Sequence, residues 1–92
     1  MDEDTPTQLQ QDLAGSLRET AGALRDCERQ VATTRQRVQT RVAELERTER
    51  RLADSASRAV NTQNTDAAMT WLLNLERTRA ALEALRDVLD LL

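Results

Sequence analysis

The sequence predicts an all-α fold, in which a long helix and a shorter antiparallel helix form a hairpin of the coiled-coil type. Apolar residues recur every seven positions in two series, a spacing typical of helices that bury a narrow seam against other helices. The apolar content is almost entirely Leu, Ala and Val, with one Trp and no Phe or Tyr. A thick globular core is therefore not expected. One polar interruption, Asn61 to Asp66, separates the two series.

The seven-residue spacing divides the chain into segments. The first series consists of Leu17, Leu24, Val31, Val38, Leu45, Leu52 and Ala59, and the second consists of Ala68, Leu75, Leu82 and Leu89. Asn and Thr in the interruption compete with helix by forming local hydrogen bonds, so the turn is expected there. Within a single domain we expect an acidic flexible N-terminus over 1–5, a long helix over 6–60, a polar turn over 61–65 and a second helix over 66–92.

The expected hairpin core has four layers, each pairing one residue of the first series with one of the second. The layers are Val38 with Leu89, Leu45 with Leu82, Leu52 with Leu75, and Ala59 with Ala68. Residues 35–58 contain seven Arg and four acidic residues, whereas 59–92 contain five acidic residues and three Arg. We therefore expect a basic first helix beside an acidic second helix.

The N-terminal half of the long helix has no match within this hairpin. Its apolar positions and the single cysteine form a candidate interface made of Leu9, Leu13, Leu17, Leu24, Cys27 and Val31. Either a second copy covers this stripe, giving a homodimer with a four-helix bundle, or the helix bends near residues 30–34 to give a compact three-helix bundle. There is no Gly or Pro in residues 30–34, which favours the continuous helix and self-association.

Two further features belong to the candidate interface. The cluster Met69, Trp71, Leu72 and Leu73 is apolar on nearly every side of the second helix. Because Trp is enriched at binding hot spots, Trp71 is a candidate for both the core and an interface. Cys27 occupies a seam position, where a buried reduced thiol is expected; the alternative is an interchain disulfide between parallel helices.

Catalytic and metal-binding chemistry is not expected. The chain has no His, Lys or Tyr, which removes the commonest general acids and bases. Glu46 and Glu49 lie one helical turn apart, but Arg47, Arg50 and Arg51 surround them, so an ion-paired surface is favoured over a metal site. We predict that the protein is not an enzyme and uses no cofactor.

The function predicted from these features is a protein–protein interaction module, such as an adaptor, scaffold or chaperone-like coiled-coil subunit, whose partners are itself and another protein. The first alternative is a nucleic-acid-associated regulator using the Arg-rich stretch 35–58, and the second is a peripheral membrane-surface protein. The net charge of −3 disfavours nucleic acid as a partner. Acids interleaved with the arginines disfavour both nucleic acid and membrane: Glu44, Glu46, Glu49 and Asp54. The acidic N-terminus and the lack of a long apolar run indicate a cytoplasmic protein.

Overall fold

The computed structural model describes the backbone of residues 4–92 and the side chains of residues 7–92, which form two α-helices joined by a tight turn. Helix α1 spans Asp4–Asn61 and helix α2 spans Thr65–Leu91. These residues contain no β-strand. The all-α class is therefore confirmed, and the two helices fit a helical hairpin.

The helix bounds differ by one or two residues from the expected 6–60 and 66–92. Helix α1 begins at Asp4, so Pro6 lies within its first turn. Proline is tolerated there because the first N–H groups of a helix have no partner inside the helix. Residues 1–3 of the expected flexible segment 1–5 lie outside the described residues.

The chain divides into two compact units, Met1–Thr33 and Thr34–Leu92. Helix α1 continues through this boundary, and residues 30–34, where the sequence left open a bend, are helical. The described chain thus has two helices and not the three of the alternative bundle. The absence of Gly and Pro from this stretch is the physical reason, since sharp bends in helices usually need one of them.

Unit 2 holds the apolar core, which lies between α2 and the second half of α1. Leu82 is 1% exposed and packs with Val42 and Leu45, while Val38 and Leu85 pack against this cluster. Of the residues expected in the core, Leu45, Ala59, Ala68, Leu75 and Leu82 are buried, and Val38, Leu52 and Leu89 are half-buried. Val42 and Ala56 are buried as well, because residues three or four positions apart share one helix face.

The turn between the helices is a Schellman-type C-cap with an unusual residue at its centre. The Gln63 N–H donates to the Val60 carbonyl at 3.0 Å, and the Asn64 N–H donates to the Ala59 carbonyl at 2.9 Å. Gln63 has φ 58°, a left-handed conformation that normally selects glycine. Asn64 then caps α2, its side-chain oxygen accepting from the Ala67 N–H at 3.2 Å.

The left-handed Gln63 predicts that Gln63→Gly stabilises the hairpin. Glycine adopts a positive φ without the steric penalty of a Cβ atom, so we expect the free energy of unfolding to rise by roughly 0.5–1 kcal/mol. Urea denaturation followed by circular dichroism at a fixed protein concentration measures the change. The matched control is Gln36→Gly within α1, which should lower stability by about 1 kcal/mol. A loss of stability in both variants would contradict the prediction.

The burial of Leu82 predicts a large stability loss on truncation. We expect Leu82→Ala to lower the free energy of unfolding by about 2–5 kcal/mol, because it removes buried methyl groups and leaves a cavity. The same urea measurement on Leu72→Ala is the control, since Leu72 is 46% exposed and its truncation should change stability by less than about 1 kcal/mol. Similar losses in the two variants would show that Leu82 is not at the centre of the core.

Candidate functional site

The first candidate surface is the N-terminal stripe, the apolar face of α1 within unit 1. Its exposed fractions are 65% for Leu9, 61% for Leu13, 60% for Leu17, 60% for Leu24 and 37% for Val31. Among the described side chains of unit 1, residues 7–33, none is buried. A helix of this kind has no core of its own, and helices normally gain most of their stability from packing an apolar face.

Cys27 is exposed and carries a free thiol. The sequence favoured a buried thiol because Cys27 occupies a seam position of the heptad pattern. That position becomes buried only when another helix packs against it. Within the single helix of unit 1, the thiol is therefore open to solvent.

The cluster Met69, Trp71, Leu72 and Leu73 does not form one continuous face. Successive residues of an α-helix are about 100° apart, so Trp71 and Leu73 lie on nearly opposite sides of α2. Trp71 is 37% exposed and lines a shallow groove beside the turn, together with residues of α1. The other residues of this groove are Ser55, Arg58 and Ala59 of α1 and Thr62 of the turn.

Charge complementarity between the helices has the opposite polarity to the one expected. Glu49 on α1 accepts from Arg79 on α2, with Nε and Oε2 3.4 Å apart. Glu46 accepts from Arg86 with Nη2 and Oε1 also 3.4 Å apart. The acids thus lie on α1 and the arginines on α2. Both pairs are largely exposed, so each contributes less than about 1 kcal/mol.

The Arg-rich stretch 35–58 is only partly neutralised by its own acids. Arg41 pairs with Glu44 at 3.1 Å, and Arg35 donates to the backbone oxygen of Leu92. Because Glu46 and Glu49 bind arginines of α2, they are not available to this stretch. Arg58 donates to the backbone carbonyl of Asp54 at 3.4 Å. The other four arginines make neither a hydrogen bond nor an ion pair with any residue that the structure describes: Arg37, Arg47, Arg50 and Arg51.

Another candidate surface is the outer stripe of α2. This stripe was not predicted from the sequence, although Leu73 was one of the predicted interface residues. It consists of Leu73, Arg77, Ala80, Ala84, Asp87 and Leu91, all exposed. At about 100° per residue these positions lie opposite the side of α2 that carries Leu75 and Leu82. Leu73 is 47% exposed and Leu91 is 86% exposed. The signal in the sequence that could have identified this stripe is the spacing of its four apolar residues, Leu73, Ala80, Ala84 and Leu91, which are seven, four and seven positions apart.

Two other kinds of site are absent from the part of the chain that the structure describes. Neither α1 nor α2 combines the length and the apolar character that a membrane-crossing helix requires. No group of three or more His, Cys, Asp or Glu residues is arranged to hold a metal ion within the described range.

Comparison of the chain with protein-family models, with curated proteins and with solved structures finds no match.

Proposed function

We propose that this protein is a non-enzymatic interaction module that binds other helices, including those of a second copy of itself, through its exposed apolar faces. The observation that carries the proposal is the N-terminal stripe. Leu9, Leu13, Leu17 and Leu24 are each at least 60% exposed, although their spacing is that of a coiled-coil seam. Covering this stripe with a partner helix would remove apolar surface from water and stabilise unit 1.

An adaptor, scaffold or chaperone-like subunit fits this arrangement. Unit 2 supplies a folded hairpin, and the N-terminal stripe supplies a binding surface that follows coiled-coil rules. Pairing of two hairpins would give a four-helix bundle of the kind common among helical dimers. The single exposed thiol suits a reducing compartment, and we propose the cytoplasm as the place of action.

The N-terminal stripe predicts self-association that depends on Leu17 and Leu24. We expect the unmodified protein to have at least twice the mass of one chain by light scattering at tens of micromolar. The double substitution Leu17→Gln with Leu24→Gln should reduce the measured mass, because glutamine keeps helix propensity but removes the apolar contact. Circular dichroism should show reduced helicity in the same variant, since an uncovered helix frays.

The matched control for this experiment is Arg18→Gln with Arg25→Gln. These positions follow Leu17 and Leu24 by one residue and lie away from the stripe, so the mass and the helicity should not change. A single-chain mass for the unmodified protein at 100 µM would contradict the proposed self-association. An unchanged mass in the leucine variant would show that the stripe does not contribute to it.

A second candidate function is binding of nucleic acid by the Arg-rich stretch. The observation in its favour is that Arg47, Arg50 and Arg51 are exposed and make no ion pair with a described residue. Phosphate contacts of this type weaken steeply with salt. The test is fluorescence anisotropy with a labelled DNA duplex and a labelled RNA at 50 mM and 150 mM salt. The absence of binding even at the lower salt concentration would exclude this candidate.

A further inference from the structure

We propose that the outer stripe of α2 pairs with the same stripe of a second copy, with the two α2 helices antiparallel about a two-fold axis. This inference rests on the proposed self-association and adds to the N-terminal stripe a second contact face, with a defined orientation. The partner is another molecule of the same chain because the stripe is complementary to itself.

The spacing of the outer stripe is the first observation. Its six positions, 73, 77, 80, 84, 87 and 91, are separated by four, three, four, three and four residues. Alternation of three and four is the spacing of a coiled-coil seam. The series reads the same from either end, so two copies can be superposed in opposite directions without loss of register.

The side chains at these positions also match when the direction is reversed. In the antiparallel arrangement, Leu73 of one chain lies level with Leu91 of the other. Arg77 lies level with Asp87, and Ala80 lies level with Ala84. Each layer occurs twice, once on each side of the two-fold axis, as an isologous contact requires.

Charge determines the orientation. Arg77 and Asp87 are exposed, and neither makes an ion pair with a residue that the structure describes. Antiparallel pairing would give two Arg–Asp contacts in each dimer. Parallel pairing in register would place Arg77 against Arg77 and Asp87 against Asp87. Like charges facing each other oppose association, so the antiparallel direction is favoured.

Small residues at the centre allow the two helices to approach closely. Ala80 and Ala84 have the smallest side chains that still favour helix, and helix axes packed through such residues approach the lower end of the usual 8–10 Å separation. Ala81 and Val88, both exposed, extend the apolar surface along one flank. The opposite flank carries two exposed acids, Glu76 and Glu83. Glu83 would lie close to its copy near the axis and Glu76 would lie beside Asp87 of the other copy, and both contacts would weaken the pairing.

The distribution of apolar residues around α2 supports the same face. Leu75 and Leu82 are buried against α1, yet Leu73 and Leu91 stay exposed on the other side of the helix. A helix that is apolar on two opposite sides is normally buried on both. The outer stripe spans only 19 residues, or about 28 Å of helix. We therefore expect a reversible dimer of moderate affinity.

Charge exchange between Arg77 and Asp87 tests the inference. Arg77→Asp and Asp87→Arg each replace both Arg–Asp contacts by like charges and should raise the dimer dissociation constant by about tenfold or more. An equimolar mixture of the two variants should form a heterodimer with near-normal affinity, because all contacts are again between opposite charges. The chain that carries both substitutions should also form a homodimer with a near-normal dissociation constant, because the exchanged side chains at positions 77 and 87 again face opposite charges. Sedimentation equilibrium measures each dissociation constant.

Matched controls are Arg51→Asp and Asp54→Arg, which make the same exchanges on the outward side of α1 and should leave the dissociation constant unchanged. Circular dichroism checks that every variant keeps its helicity. If the unmodified protein associates but the Arg77 and Asp87 variants do so equally well, the inference is overturned and the proposed function stands. If the unmodified protein remains a single chain at 100 µM, the proposed self-association itself is wrong.

Discussion

The packing of Leu82 between Val42 and Leu45 is the contact on which the rest of the hairpin depends. Leu82 is the most deeply buried large side chain among the described residues. Once these residues are in contact, the heptad spacing places the other paired core residues of α1 and α2 opposite each other. These pairs recur every seven residues, both toward the turn and away from it. The layer next to the turn is Ala59 with Ala68, both buried. Small residues there let the two helices come together where the chain reverses.

Much of this arrangement could be predicted from the sequence because it follows from periodicity. The positions of Leu45, Leu75 and Leu82 in the core follow from the seven-residue series, and the turn follows from the run of Asn, Thr and Gln. The left-handed conformation of Gln63 could not be predicted in the same way. Glycine marks that position in most helix ends, and here the requirement to reverse the chain overrides the preference of the side chain.

The surface was harder to predict than the core. Net charges of the two segments indicated a basic α1 beside an acidic α2, but the pairs that form join Glu46 and Glu49 to arginines of α2. The ion pairs that form between the helices depend on which charged side chains flank the apolar seam. The net charge of a whole segment does not contain that information. The outer stripe is not evident from the sequence for a related reason. Its alanines carry little hydrophobicity individually, and only their position relative to Leu75 and Leu82 shows that they share a face.

The continuity of α1 has a consequence for how order spreads along the chain. Starting a helix is unfavourable, whereas extending an existing one is nearly neutral for each added residue. The hairpin of unit 2 supplies a permanent starting point, from which helix can grow back through residues 30–34 toward the N-terminus. Helical order should therefore decline gradually with distance from unit 2, and amide hydrogens should exchange progressively faster in the same direction. Any molecule that covers the N-terminal stripe would act on this gradient, because it would stabilise helix in the part of α1 that is most distant in sequence from unit 2.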